Sequence, residues 1–319
     1  MKPNVLFIDD EKMVLEALRR SMRGKCDNWD VHYVDSTDAL WELHAVQPFD
    51  VVVTDMHMPG TNGADLMRSL REKSPETVRI MLSGFKDRDE VARNESAHQF
   101  LMKPIMVSSL IHHIDQALQA RLDDHRSVML HGASHIVTSA ANAKRLRVLL
   151  DKSDACTPEL IALVNSDPGM SAKVLQLGNS GIFSSHTGDR DVDACLSVIG
   201  IELLRSLFSE ETLRSFEADD IRDAIVEQAI GHARDIQARR PHESSAATLH
   251  VAGALLWLQQ DDVVAPARFA CDASSIELSA ALAQLWGLPL AVVRELRRMS
   301  HVGCHEWARE RSGEVGGAT

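Results

Sequence analysis

The hydrophobic rhythm of this chain changes near its middle. Through about residue 105, short apolar runs alternate with stretches of helical spacing. The runs are VLFID (5–9), VHYVD (31–35), FDVVVTD (49–55), VRIMLSG (78–84) and QFLMKP (99–104). Between them, VLEALRRSM, DALWELHAV, ADLMRSLREK and RDEVARNES carry helical patterns. Strands separated by helices of this length predict right-handed crossovers and a parallel sheet covered on both faces. Five strands fit a flavodoxin-like, doubly wound sheet.

From about Thr157 the strand signal disappears and helices follow one another. Thr157-Pro158-Glu159 supplies a cap, a proline suited to the first helical position and an early acid; Asp167-Pro168 repeats the device. ACLSVIGIELLRSLF, DAIVEQAIGHARDI, TLHVAGALLWLQ and IELSAALAQLWGLPLAVVRELRRM keep helical spacing, so the second half is all-α, with no solenoid period. The expected division is an α/β unit over 1–122, a linker over 123–139, a helical unit over 140–307 and a polar, glycine-rich, disordered tail over 308–319. The helix from Val107 to about Leu122 puts Ile111, Ile114 and Leu118 on one face, which could pack on its own sheet or pair with a second copy as a homodimer.

Composition narrows the function classes. At 319 residues the chain suits two domains, and 45% hydrophobic with 25% charged is globular. A formal charge of -12 argues against a broad footprint on a phosphate backbone, so nucleic acid is not the expected partner. The cluster Lys144, Arg145 and Arg147 reads as a solvated helix face. Cys26, Cys156, Cys195, Cys271 and Cys304 show no CxxC or ligand-like spacing and are expected to be reduced thiols in the cytoplasm. MKPNVLFIDDEKM meets two aspartates before any signal-peptide apolar core is complete, and no apolar run reaches the roughly 20 residues that span a bilayer, so no membrane partner is expected.

The candidate chemistry lies where strands end. In an open parallel sheet the reactive edge lies beyond the carboxyl ends of the strands, where strand order reverses. Asp9 and Asp10 end the first strand, Asp55 the third, Ser83 the fourth and Lys103 the fifth. Three converging carboxylates repel unless a cation neutralises them, and a hard divalent ion such as Mg²⁺, with Mn²⁺ as the alternative, is the natural counter-charge. With that ion and Lys103 present, Asp55 can act as a nucleophile toward a phosphoryl group, and Ser83 can donate to a phosphoryl oxygen. Met58-Pro59-Gly60, with Gly63 after it, lets the chain leave the strand without covering the nucleophile. Taken singly, each residue has a plainer role: a terminal Asp as a helix cap, Ser83 as turn chemistry, Lys103 as a solvated charge, Phe100 as core.

IDDE, VVVTDMHMPGTNG, MLSG and FLMKP together resemble the receiver domain of two-component response regulators, over roughly residues 3–120. The resemblance implies that Asp55 is phosphorylated by a histidine kinase or phosphotransfer protein. It also implies that Asp10, Asp55 and the backbone carbonyl of His57 bind Mg²⁺, with Asp9 acting through water. Lys103 matches the family's lysine, Pro104 its cis proline, and Phe100 its aromatic switch position, with Ser83 as the partner switch residue. The His57 imidazole is expected to point to solvent.

TPELIALVNSDPGMSAKVLQLGNSGIF, SVIGIELLRSLF and LAQLWGLPLAVVRELRRMSH are similar to the HDOD family, over roughly residues 136–301. Such domains look like HD phosphohydrolases that have lost the metal-binding His-Asp pair. Leu256 and Trp257 occupy those two positions here, and neither side chain can ligate a divalent ion. His250, His301 and His305 remain as candidate ligands but lack an acidic partner at ligand spacing, and are read as structural or exposed. Asn179 and Ser180, following Gly178, read as a helix C-terminal cap. The expected function is a phosphorelay response regulator whose non-catalytic helical domain signals by contact with a downstream protein. The alternatives are a metal-dependent phosphohydrolase and a nucleotide or cyclic-di-GMP sensor.

Overall fold

The computed structural model describes residues 2–60, 62–84, 87–94, 96–120, 137–152, 156–180, 183, 190–209, 220–239, 244–257 and 272–310. Strands β1 (Asn4–Ile8), β2 (Asp30–Val34), β3 (Val51–Asp55), β4 (Val78–Ser83) and β5 (Gln99–Met102) form one parallel sheet in the order β2-β1-β3-β4-β5. Growth of the sheet reverses between β1 and β3, which opens a crevice beyond their carboxyl ends. The register sets Ile8 beside Thr54 and Ser83 beside Met102, so the strand ends lie level along that edge. Helices α1 (Lys12–Met22), α2 (Thr37–Val46), α3 (Gly63–Lys73), α4 (Arg88–Arg93) and α5 (Val107–Ala120) complete the α/β unit. β1 and β4 are buried throughout and β3 nearly so, as strands covered on both faces must be, whereas the edge strand β2 is only partly covered.

The second half is helical: α6 (Ala140–Lys152), α7 (Pro158–Ser166), α8 (Pro168–Gly178), α9 (Val192–Ile199), α10 (Ile201–Leu207), α11 (Asp220–Arg239), α12 (Ser244–Leu249), α13 (Ala252–Trp257), α14 (Ala273–Leu285), α15 (Leu290–Val302) and α16 (Cys304–Glu310). Both expected caps form: Thr157 Oγ1 accepts from Leu160 N, Asp167 Oδ1 accepts from Met170 N, and a proline follows each. Asn179 caps α8 and also reaches across the chain, donating to the carbonyls of Leu175 and Arg190 at 3.1 Å each. Gly178 leaves room for α9, since a Cβ there would meet the Cys195 side chain at 2.5 Å.

The helical unit begins before the expected Ala140. Val137, Thr138 and Ser139 are buried, and Thr138 Oγ1 and Asn142 Nδ2 both donate to Oδ2 of Asp167. These residues, read as the end of a linker, are held because the wholly buried Asp167 carboxyl requires hydrogen-bond donors. Burial raises the Asp167 pKa despite those donors. At the other end, α16 runs to Glu310, past the expected start of the tail at 308; the tail's residues 311–319 lie outside the described residues, as do 121–136 of the linker. Among the described residues, no helix is long and apolar enough to cross a membrane.

Most of the buried apolar side chains of the two halves form one contiguous cluster, with a smaller separate one at Cys304 and Trp307. α10 packs against α4, and α14 packs against α5. α5, whose Ile111, Ile114 and Leu118 face was expected to meet the sheet or a second copy, also meets the other half at Gln116 and Gln119, where Gln284 Nε2 donates to Gln116 O and Gln119 Oε1. Glutamines stitch the seam: Gln99 Nε2 donates to Leu285 O at 2.7 Å, Gln176 Nε2 to His98 O at 2.9 Å and Gln284 Nε2 to Gln116 O at 3.1 Å.

Candidate functional site

The sheet edge gathers the residues that end its strands. β1 delivers Asp9 and Asp10, and Asp9 is pinned by the backbone N–H of Glu11, which donates to its Oδ1 at 2.9 Å. β3 delivers Asp55, whose side chain is 14% exposed. Lys103 follows β5, and its Nζ bridges two carboxylates, at 2.7 Å from Asp55 Oδ1 and 2.8 Å from Asp9 Oδ2. Burial alone would depress the Lys103 ammonium, but the hydrogen bonds and charges of Asp55 and Asp9 outweigh it and raise its pKa. Oxygens of Asp9, Asp10 and Asp55 lie within 4.8 Å of one another, a hard-oxygen set of the kind Mg²⁺ takes.

Ser83 ends β4 fully buried, and its Oγ has no hydrogen-bond partner among the described residues. A buried hydroxyl in that condition is costly. Phe100 on β5 is 3% exposed, pairing in register with Met81. The Lys103–Pro104 bond is cis.

The loop after β3 is shaped by glycine in two ways. Gly60 turns at φ +83°, a left-handed conformation that costs a side-chain-bearing residue. Gly63 opens α3 directly against the backbone of Met56 and Asp55: its N–H donates to Met56 O at 2.8 Å, and a Cβ would stand 2.2 Å from the Asp55 carbonyl oxygen. Its role is thus close approach rather than turn-making.

His57 is exposed, and its ring also makes a contact that the sequence did not signal. Its imidazole is 60% exposed, yet Nε2 lies 2.9 Å from Asp87 Oδ1, and this hydrogen bond raises its pKa. The other Asp87 oxygen accepts from Gly84 N at 2.5 Å, and Asn62 Nδ2 donates to Glu90 Oε1 at 2.5 Å. The loop after β3 and the segment leading into α4 are thereby tied together at the site's rim. Asp87 and Glu90 were not singled out in the sequence, because lone acids in a polar segment carry no pattern.

In the helical half, Leu256 and Trp257 end α13, and their side chains lie outside those described. His301 and His305 are exposed and His250 is fully buried. Lys144 and Arg145 are exposed, Arg145 pairing with Glu159 at 2.7 Å, whereas Arg147 is only partly exposed and its Nε is buried, so the expected solvated face holds for the first two and not for the third.

Known families match both halves: residues 5–115 fit the response regulator receiver domain and residues 136–236 the HDOD domain. The hydrogenase transcriptional regulatory protein HoxA of Cupriavidus necator is 35% identical over 120 residues, covering 37% of this chain and 24% of that protein. The DNA-binding response regulator MtrA of Mycobacterium tuberculosis is 31% identical over 133 residues, covering 41% of this chain and 56% of that protein. The match thus spans about a quarter of one curated relative and just over half of the other. A solved response regulator receiver domain protein from Clostridium thermocellum is 28% identical and covers 37% of this chain and 96% of that one, with a TM-score of 0.34.

Proposed function

We propose, for a chain that joins a receiver domain to an HDOD domain, that it is a response regulator storing a phosphoryl group on Asp55 and reporting it by contact through its helical half. The observation that carries this reading is Lys103 Nζ held between Asp55 and Asp9 at 2.7 and 2.8 Å. An ammonium in that position faces the charge that develops on a phosphoryl group arriving at Asp55.

In the transfer, an Asp55 carboxylate oxygen forms the new O–P bond as the P–N bond to a phosphohistidine of a kinase or phosphotransfer partner breaks. Asp10, Asp55 and the His57 carbonyl would hold Mg²⁺ or Mn²⁺, with Asp9 acting through water. When bound, the ion neutralises the acidic cluster and the phosphoryl oxygens. Ser83 Oγ donates to the product, and Phe100, one strand away, answers the movement of Ser83. That movement reaches α4, β5 and α5, the elements against which the helical half packs, so phosphorylation alters the seam made by Gln99, Gln176 and Gln284.

The HDOD half then acts as a contact surface for a downstream protein rather than as a hydrolase. Leucine and tryptophan at 256 and 257, where a metal-binding pair would stand, support that reading.

Labelling with acetyl phosphate or a cognate kinase tests the site. Asp55→Asn abolishes incorporation; label retained in that variant removes Asp55 as the acceptor. Beryllofluoride added to the full chain speeds amide exchange in α5 and α14, and unchanged exchange there refutes the route through the seam.

A further inference from the structure

We propose that His232, His250 and Cys304 form a zinc site in the helical half, separate from the phosphoacceptor and from positions 256 and 257. The three residues come from distant stretches: His232 from α11, His250 from the turn between α12 and α13, and Cys304 from the start of α16. A ligand atom from each lies within 4.8 Å of the other two.

The spacing suits a single ion. His232 Nε2 stands 3.5 Å from Cys304 Sγ. Tetrahedral zinc, with Zn–S of about 2.3 Å and Zn–N of about 2.0 Å, holds a sulfur and a nitrogen about 3.5 Å apart. His250 is also oriented as a ligand. Its Nδ1 lies 2.6 Å from the Ala247 carbonyl, which can only accept, so the proton is on Nδ1 and the lone pair on Nε2. Ligating histidines are characteristically fixed by such an outer hydrogen bond.

Two imidazoles and a thiolate are a borderline-soft set that selects zinc over magnesium. His305, next in the chain to Cys304, has its ring centroid 5.4 Å from that of His232 and lies outside the three-residue ligand group. Ile236, Ala247, Met299 and Trp307 pack with Cys304 in a small apolar cluster, which buries the sulfur side of the site. Bound metal would pin α16 to α11 and to the α12–α13 turn, so the site serves as a clamp on the end of the helical half.

The rival account is a packed cluster in which the Cys304 thiol merely donates to His232. Cobalt titration of the chelator-treated full chain separates the two. The expected result is a thiolate-to-cobalt charge-transfer band saturating at one equivalent, displaced by zinc, lost in Cys304→Ser and His250→Ala, and retained in Cys156→Ser. Absence of the band from the folded wild-type chain, or its persistence in Cys304→Ser, overturns the proposal. If Cys304→Ser and His250→Ala do not fold, the partly exposed His232→Ala gives the same reading: loss of the band supports the site and its retention refutes it.

Discussion

The two halves treat their polar residues in opposite ways. In the α/β half, Asp9, Asp10, Asp55, Ser83 and Lys103 sit at strand ends and converge on one edge, where their charges face one another more than they serve the fold. In the helical half, polar side chains are drawn inward to complete the backbone. Asp167 caps α8 while holding Thr138 and Asn142, and Ser279 accepts from Gly253 N while donating to His250 O. A parallel sheet aligns its strand ends and so concentrates chemistry along one edge; packed helices have no such edge. The strand-end polar residues of the first half therefore mark the candidate site, whereas Asp167 and Ser279 serve architecture in the second, as the buried Arg79 does in the first by donating to the Ser96, Pro75 and Thr77 carbonyls.

Substitutions on either side can break this contrast. The largest effect is expected at Lys103: Lys103→Met slows phosphoryl transfer to Asp55 about 100-fold, as loss of a preorganised charge does, measured by single-turnover labelling. Its raised pKa also makes a stability statement. The Lys103 contribution is complete below the ordinary lysine range and disappears as pH climbs through the elevated value, so urea melts of wild type and Lys103→Met should converge only in strong alkali. Convergence near neutral pH would contradict the ion-pair geometry.

Next is Asp167→Ala, which removes a cap and leaves Thr138 and Asn142 without their buried acceptor. A loss of about 3 kcal/mol is expected in chemical denaturation, with phosphorylation of Asp55 preserved. If labelling fell in parallel, the two halves would not be separable in the way described.

Gly63→Ala drives a methyl into the Asp55 carbonyl and should destabilise the α/β half by about 2 kcal/mol, with slower labelling because the backbone of Asp55, the proposed acceptor, shifts. A neutral result would mean that α3 moves aside without cost. The smallest effect is expected at the seam. Gln99→Leu leaves the Leu285 carbonyl unpartnered and costs about 1 kcal/mol, read as faster amide exchange at the start of β5 and the end of α14 rather than as global unfolding.

Some of this was legible because it is local. Alternating strand and helix patterns gave the sheet, Thr157-Pro158 and Asp167-Pro168 gave two helix starts, and the strand-end residues gave the candidate site. Other features were hidden because their partners are far apart in the chain. The His57–Asp87 pair joins two loops, and Lys103 reaches Asp9 as well as Asp55. The Gln99 bond to Leu285 spans 186 positions, and no periodicity records such a contact. His232, His250 and Cys304 likewise show no ligand spacing along the chain, since each rides on a different element.

By itself, the order of residues determined which segments became strands and helices and which side chains stand at the strand ends, because period, capping and turn chemistry act over a few positions. Only the tertiary structure decided that the helical half seats on α4 and α5, that Gly63 lies against the Asp55 carbonyl and that two histidines meet a cysteine. Those outcomes depend on how apolar surfaces stack once the elements exist, and burial then forces distant polar groups to find one another.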